Sequence, residues 1–305
     1  MRAFLRRMFG ARRAPGVAQD AAATAVWRVV GVSETGAGHL RSSTPCQDAH
    51  AFELVERGWL AIALADGAGS AAQAEVGARL AVDVAVRRLV TSLRGHLASA
   101  SQPPRALASE ERAVVQPRLC WRAPLQHALA AARQAIEDEA RRRNVAPRDL
   151  ACTMIVAVLG PHSVAAAGVG DGGLVVEHPG GRLQTLLRPD TGEFEGETTF
   201  VTAEGAVDRA HFGELEAAVE SLAAFTDGMQ GLVLHRKEWA PHPGFFGNVF
   251  DPLRHQSDPA VAGAAVRQML RSDAVRSRTH DDVTLLVATR TADWERALEG
   301  DRTEH

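Results

Sequence analysis

The sequence predicts an α+β fold in which antiparallel strands and amphipathic helices share one large core. The middle of the chain holds four apolar runs of strand length, separated only by short turns, at 152–159, 163–170, 174–177 and 182–187. Connections this short join antiparallel neighbours, because a parallel crossover needs about a dozen residues or more. Two longer stretches, 71–93 and 123–143, repeat their apolar residues at helical spacing and are predicted as amphipathic helices.

The other elements follow the same two periodicities along the chain. Strands are predicted, in order, at 27–33, 51–55, 59–65, 221–226 and 283–289. A third helix is predicted at 258–271. Two segments show neither period: 94–118, which contains three prolines and is predicted as a surface insertion, and 188–216, which is polar and is predicted as a mobile flap. No internal repeat or linker divides 24–290, so a single domain is expected there.

Composition restricts the class of function. The 305 residues include 34 basic and 37 acidic side chains and carry a formal net charge of -3, which excludes a nucleic-acid binder that acts through bulk positive charge. Tyrosine is absent and Lys237 is the single lysine, so tyrosine nucleophiles are excluded and Schiff-base chemistry nearly so. The scattered Cys46, Cys120 and Cys152 suit a reducing, cytoplasmic compartment, and Cys120 and Cys152 are predicted to be packing residues. No apolar run approaches the roughly 20 residues that span a bilayer, and the oligomeric state stays open.

Both ends of the chain are predicted to lie outside the domain, as a basic tail at 1–23 and a short tail at 291–305. Five arginines precede Asp20, the first acidic residue, and they are interspersed with four large apolar residues: Phe4, Leu5, Met8 and Phe9. Such a segment is either a disordered, solvated tail or a surface that meets an anionic membrane or a partner. The sequence leaves both interpretations open.

Five aspartates stand beside predicted strands, where their side chains can meet in one cleft. Asp66 and Asp227 each follow an apolar strand and precede a glycine. Asp48 and Asp281 come just before strands, and Asp171 lies between two of them. Carboxylates without histidine or cysteine partners select hard cations such as Mg²⁺ or Mn²⁺. A single Asp-Gly pair is more typical of a turn, and it is the joint occurrence that predicts a metal site.

Five short motifs occur in an order that resembles a known family: Gly38–Arg41 with Cys46–Ala49, Ala65–Ser70, Gly170–Gly173, Phe225–Gly228 and Asp281–Thr284. The chain resembles the metal-dependent protein phosphatases of the PP2C (PPM) type, in particular the bacterial branch with a Cys-Gln-Asp motif. The resemblance implies a four-layer α-β-β-α sandwich of two mainly antiparallel sheets, with a two-metal cleft at one edge. It also implies hydrolysis of phosphoserine or phosphothreonine on a protein substrate, and it leaves a cognate serine/threonine kinase as an open partner.

The resemblance assigns roles to individual positions. Asp66 resembles the carboxylate that bridges two Mg²⁺ or Mn²⁺ ions, and the Gly67 carbonyl resembles the second ligand of one of them. Asp227 and Asp281 resemble the remaining ligands of the other ion. Asp48 resembles a ligand that acts directly or through water. Asp171 resembles the residue that helps to hold a third, weaker ion in bacterial members, and Arg41 the arginine that clamps the phosphate, so that Arg41, Asp48 and Asp66 form the predicted catalytic set.

Three positions depart from the family pattern. Gln47 precedes Asp48 where members often have an acid, and Arg41 stands further from Asp48 than it does in many members. Ala68 occupies the place of the histidine acid of eukaryotic members, so the leaving-group proton would come from water, His39 or His280. Gln47 and the arginine spacing keep one alternative open, a PP2C-like binding or regulatory module with little or no catalysis. A second alternative is a metal-dependent hydrolase of a small phosphoester or nucleotide.

Overall fold

The computed structural model describes residues 26–100, 120–190, 198–235, 237–292 and 294. The predicted basic tail at 1–23 lies outside these residues, as do 101–118 of the predicted insertion and 191–197 of the predicted flap. All but three residues of the predicted C-terminal tail lie outside them too.

Two five-stranded sheets form the centre of the molecule, and every strand pair in them is antiparallel. The first sheet has the order β1-β12-β9-β6-β7, with β1 (Trp27–Glu34), β12 (Val283–Arg290), β9 (Ser221–Phe225), β6 (Gly173–Glu177) and β7 (Leu183–Leu187). The second has the order β2-β3-β4-β5-β8, with β2 (Ala49–Val55), β3 (Trp59–Ala65), β4 (Met154–Leu159), β5 (Val164–Val169) and β8 (His211–Leu215). A short hairpin pairs β10 (Leu234–His235) with β11 (Ala240–Pro241).

Helices cover the outer face of each sheet. In chain order they are α1 (Ala37–Ser42), α2 (Ala74–Ala100), α3 (Arg122–Arg143), α4 (Gln230–Val233), α5 (Pro243–His255), α6 (Pro259–Leu270) and α7 (Asp273–Arg276). The helices α2 and α3 share a core with the second sheet, and α5 and α6 share one with the first. The predicted α+β fold and its four-layer arrangement are confirmed.

The alternation of side chains along β3 shows how the layers are built. Leu60, Ile62 and Leu64 pack in the core between the two sheets. Ala61 and Ala63 point the other way, into the core beneath α2 and α3, as the two-residue period of a strand requires. Because helices cover both sheets from outside, this strand is apolar on both faces, and its ends are fixed in position by two cores.

The structure corrects four local predictions. The segment predicted as a flap contains the edge strand β8, whose side chains are mostly half-buried and so gave no clear alternation. The helix α5 was not predicted, because Pro243 and Pro252 and two glycines disguise its buried apolar side. The helix α2 runs to Ala100, into the predicted insertion. Cys120, expected to pack, is exposed.

No helix in the described ranges has both the length and the apolar character needed to cross a bilayer.

Candidate functional site

The ends of strands from both sheets bring the predicted aspartates together. Asp48 precedes β2 and Asp66 follows β3 in the second sheet, whereas Asp227 follows β9 and Asp281 precedes β12 in the first. Asp171 lies in the turn that leads from β5 in one sheet to β6 in the other. Each of the five carboxylates acts electrostatically on at least one other member of the group. The structure therefore forms one acidic cluster at a shared edge of the sandwich.

Asp48 is the most deeply buried member, with 5% of its surface exposed. The Thr226 hydroxyl donates to Asp48 Oδ2 at 2.7 Å, and the Thr284 amide donates to the Thr226 hydroxyl at 3.0 Å. Burial raises the pKa of Asp48 to about 7, against the lowering effect of the Thr226 hydrogen bond. The Oδ1 atom is also buried and has no hydrogen-bond partner in the described part of the chain.

Asp66 and Gly67 directly follow β3, where the backbone packs closely against residues 151–153. Their backbone runs beside 151–153, where the Thr153 amide donates to the Asp66 carbonyl at 2.8 Å and the Ala68 amide donates to the Ala151 carbonyl at 2.9 Å. Neither of these two bonds uses the Gly67 carbonyl. A Cβ at Gly67 would lie 2.7 Å from Ala74 Cβ, so only glycine fits this close approach. Burial, together with neighbouring carboxylates, raises the pKa of Asp66 well above its ordinary value.

Asp227, Asp171 and Asp281 complete the cluster. Burial raises the pKa of Asp227 to about 6, and its Oδ1 atom is buried without a partner among residues the structure describes. Burial also raises the pKa of Asp171, although Oδ2 accepts a hydrogen bond from the Thr198 hydroxyl at 2.8 Å. Asp281 is exposed, and its Oδ1 accepts from the Asp282 amide at 2.9 Å. The cluster thus runs from buried Asp48 outward to Asp281 at the surface.

Asp282 is a buried residue beside the acidic cluster to which the sequence assigned no role. It is 2% exposed, and its carboxylate accepts hydrogen bonds from the Gly36 amide at 2.7 Å and the Gln47 amide at 2.6 Å. The His39 Nδ1 atom lies 3.0 Å from Asp282 Oδ2. This one carboxylate therefore joins the segments that precede α1 and β2 to the loop before β12. The Asp-Asp doublet was the available signal, but only the first aspartate was assigned a role.

The comparisons with known proteins agree with this geometry. The family model described as "Protein phosphatase 2C" matches residues 35–288. The chain belongs to the protein phosphatase 2C family. It is 32% identical over 268 residues to serine/threonine-protein phosphatase 3 of Escherichia coli (strain K12), which covers 86% of this chain and 98% of that protein. The predicted family and the predicted enzyme class, a phosphoric monoester hydrolase, are confirmed.

Solved structures confirm the fold. Serine/threonine phosphatase Stp1 from Staphylococcus aureus is 14% identical and superposes with a TM-score of 0.55, over 86% of this chain and 94% of that one. The catalytic domain of the serine/threonine protein phosphatase PstP, in complex with two manganese ions, is 18% identical with a TM-score of 0.50, over 87% and 99%. The predicted α-β-β-α sandwich of this phosphatase is therefore shared with bacterial members of the family.

The acidic cluster of this phosphatase fits hard divalent cations. In the described ranges, no group of three or more His, Cys, Asp or Glu side chains is already arranged to hold a metal ion. Buried carboxylate oxygens that have no hydrogen-bond partner among the described residues nevertheless occur at both Asp48 and Asp227. Burial and mutual repulsion raise the pKa of these groups, and a nearby cation favours their charged forms instead. Carboxylate and carbonyl oxygens are the ligands that Mg²⁺ and Mn²⁺ prefer.

Arg41 and Gln47 lie on the segments that Asp282 holds. Arg41 is exposed on α1, where the Gly38 amide donates to the His280 carbonyl at 2.8 Å and fixes the helix against the loop before β12. Gln47 is buried, and its Oε1 atom has no hydrogen-bond partner among the residues that the structure describes. Its carbonyl accepts from the Gly67 amide at 3.2 Å. The shifted arginine therefore sits on a helix anchored to the same loop that carries Asp281.

Replacing Asp282 with alanine is expected to lower the thermal midpoint of the metal-free protein by several degrees. The change leaves the buried amides of Gly36 and Gln47 unpaired, which costs about 1–3 kcal/mol for each group. Thermal unfolding in chelator measures the loss, and Asp281→Ala is the matched control because Asp281 is exposed. A larger loss in Asp281→Ala than in Asp282→Ala would contradict this structural role.

Proposed function

We propose that this phosphatase removes phosphate from phosphoserine and phosphothreonine side chains of proteins and depends on two Mg²⁺ or Mn²⁺ ions. The observation that carries the proposal is the meeting of Asp48, Asp66 and Asp227 from both sheets, with buried carboxylate oxygens that lack partners in the described residues. The relative from Escherichia coli is named a serine/threonine-protein phosphatase. The structurally similar PstP domain is in complex with two manganese ions.

Each member of the cluster has a proposed place in the metal site. Asp66 would bridge the two ions, with the Gly67 carbonyl as a further ligand of one of them. Asp227 and Asp281 would be the remaining ligands of the other ion, and Asp48 would bind an ion directly or through a water. Asp171, whose carbonyl accepts from Gln230 Nε2 at 2.5 Å, would help to hold a third ion. When bound, such ions supply Lewis-acid chemistry, which neutralises charge on phosphoryl oxygens and acidifies water.

The chain's own residues position the substrate and the ligands. The Arg41 guanidinium is exposed and presents a planar fork that suits two phosphoryl oxygens. Asp282 accepts hydrogen bonds from the Gly36 and Gln47 amides on either side of α1, and so helps to position the helix that carries Arg41. The Thr226 hydroxyl donates to Asp48 Oδ2 and so orients Asp48 Oδ1 away from this bond. Leaving-group protonation is proposed to come from water, His39 or His280.

The proposed setting is the cytoplasm, where a serine/threonine kinase would supply the phosphorylated protein. Cys46, Cys120 and Cys152 are all free thiols. Unpaired thiols of this kind persist in a reducing compartment. Burial raises the pKa of Cys152 to about 12, so this thiol is kept neutral and unreactive. The role of Cys152 is therefore proposed to be packing rather than catalysis.

The test is phosphatase activity with defined metals and substrates. The purified protein is assayed with a phosphoserine peptide and with p-nitrophenyl phosphate, in Mn²⁺, in Mg²⁺ and in excess chelator. We expect turnover of both substrates with either ion, a loss of at least about a hundredfold in chelator, and recovery when Mn²⁺ is returned. Equal activity with and without chelator would contradict the metal dependence. Turnover of p-nitrophenyl phosphate without turnover of phosphopeptides would favour a small-phosphoester hydrolase.

A further inference from the structure

A cavity of about 510 Å³ opens beside the acidic cluster, between the edge strands of the two sheets. Its walls come from the end of β7 and the residues that follow, and from the start of β8. The side chains that give it chemical character are Arg188, Asp190, Arg209, His211 and Phe212. Its volume lies within the range of about 300–1,000 Å³ that is typical of ligand pockets.

The side of the cavity that carries Arg209 belongs to the turn before β8, and this turn is held in place by the core. Val201 and Ala206 are buried in the core beneath α2 and α3, which anchors the turn before β8. The Arg133 guanidinium, on α3, donates to the Ala203 carbonyl at 2.8 Å and holds the same turn. The position of the cavity wall is therefore fixed by the fold.

Arg209 is fitted into this turn. One amino group donates to the Glu204 carbonyl at 2.8 Å, and the Arg209 amide donates to the Gly205 carbonyl at 3.1 Å. Gly205 has a φ of +66°, and a Cβ there would lie 2.6 Å from Arg209 Nη1. Because Gly205 has no Cβ, the Arg209 guanidinium can occupy this space. A guanidinium fixed in this way loses less entropy when it binds an anion.

Positive groups outnumber negative ones in the cavity wall. Arg188 and Arg209 are exposed and accessible, and Asp190 is the one acidic residue among those that line the cavity. His211 also lines it, and its Nε2 atom is buried with no hydrogen-bond partner among the described residues. The Arg122 guanidinium lies 4.1 Å from the centroid of the Phe212 ring, which adds a third cation to this side of a chain whose net charge is -3.

The cavity adjoins the acidic cluster but has the opposite charge. The Asp190 amide donates to the Gly170 carbonyl at 3.3 Å, one residue before Asp171. The Asp190 carboxylate is close enough to act electrostatically on both Asp171 and His211. A peptide whose phosphorylated residue enters the acidic cluster would therefore have neighbouring side chains within reach of Arg188 and Arg209.

We propose that this cavity binds an acidic side chain of the protein substrate, separate from the phosphate that is removed. The shared chemistry is an anionic oxygen group, either the carboxylate of aspartate or glutamate or a second phosphate. Such a group pairs with the guanidinium groups of Arg188 and Arg209. The inference rests on the proposed phosphoprotein phosphatase function, and it makes the cavity the site that selects substrates with acidic flanking sequences.

The test compares matched phosphoserine peptides. In one set, glutamate is moved through each position flanking the phosphoserine, and glutamine replaces it in the paired control peptide. A third peptide carries a non-hydrolysable phosphonate side chain at the preferred position, which distinguishes a carboxylate from a second phosphate. We expect kcat/KM with Mn²⁺ to be about tenfold higher for the acidic peptide at one or more positions, chiefly through KM, and this ratio to fall as salt rises.

Variants assign the preference to the cavity. Arg188→Gln and Arg209→Gln, singly and together, should bring the acidic-to-neutral ratio of kcat/KM close to one. The Arg209 side chain also donates a hydrogen bond within its own turn, so Arg209→Gln can change the local structure as well as the charge. The Arg188→Gln variant tests the loss of charge without this effect. Arg79→Gln, an exposed arginine on α2, is the matched control and should keep the wild-type ratio.

Two outcomes would overturn the inference: a wild-type ratio near one at every flanking position, or an unchanged ratio in the double variant. Metal-dependent turnover of the neutral phosphoserine peptides by the wild type tests the proposed function separately. If that turnover is present while the ratio is near one, only the role of the cavity is contradicted.

Discussion

Replacing either Asp66 or Asp227 with alanine is expected to abolish phosphatase activity, by roughly a thousandfold or more, while the fold persists. Both carboxylates lie at strand ends beside the acidic cluster, and neither belongs to any of the hydrophobic cores. If they hold the divalent ions, each variant loses a ligand and with it the stabilisation of developing charge on the phosphate. The measurement is kcat/KM for a phosphoserine peptide in saturating Mn²⁺, compared with the wild type and with Asp83→Ala, an exposed aspartate on α2.

Stability distinguishes loss of a ligand from loss of the fold in these variants. In the metal-free protein, burial and neighbouring carboxylates raise the pKa of Asp66, so its charge is unfavourable in the folded state. Removing either carboxylate relieves this repulsion, and the thermal midpoint in chelator should stay equal or rise. The increase in midpoint that Mn²⁺ gives the wild type should disappear. Full activity of purified Asp66→Ala with Mn²⁺ present would contradict the proposed metal site.

The strands that the sequence predicted best are those whose two faces are both covered. Residues 59–65 were predicted as a strand, and β3 has these same bounds. A short run in which every residue is apolar is typical of a strand that is buried on both faces. The edge strand β8 was not predicted, since it is half-buried and contains Gly213, where a Cβ would lie 2.2 Å from the Leu186 carbonyl oxygen. That glycine is required by contact with β7, which is a tertiary constraint that no local pattern shows.

The candidate site shows the same difference between residues that a local sequence pattern reveals and residues that only tertiary contacts reveal. Asp66 and Asp227 were predicted because a strand followed by Asp-Gly is a local signal, and the structure brings both into one cluster. Asp282 was missed because its partners, the amides of Gly36 and Gln47, lie far away in sequence. The cationic cavity was missed for a related reason, since Arg188 and Arg209 come from segments that only the pairing of the two sheet edges brings together.

The contribution of Asp48 to stability in the absence of metal is expected to fall as pH rises from about 4 to about 7. Burial raises the pKa of Asp48 from 3.8 to about 7, so the folded protein holds a proton that the unfolded chain releases within this range. Folding is therefore favoured by this group below about pH 4, and the contribution is lost once the pH passes about 7. The pKa of Asp227, raised to about 6, acts in the same direction.

Buried histidines act in the opposite direction, because burial lowers the pKa of His50 and His211. The informative quantity is therefore the difference in unfolding free energy between the wild type and Asp48→Asn, which keeps an oxygen that can accept from the Thr226 hydroxyl. In chelator, the Asp48→Asn variant should be more stable than the wild type above about pH 7, by an amount that shrinks as the pH falls towards 4. Denaturant unfolding at a series of pH values measures this difference.

Added Mn²⁺ should reverse this order. A cation favours the charged form of Asp48, so the stabilisation of the wild type by Mn²⁺ should grow with pH across the range in which the metal-free protein weakens. In Asp48→Asn the gain from Mn²⁺ should be smaller and nearly independent of pH. If the metal-free wild type were instead as stable as Asp48→Asn at about pH 8, Asp48 would carry its charge without strain. The repulsion that makes this cluster a cation site would then be absent.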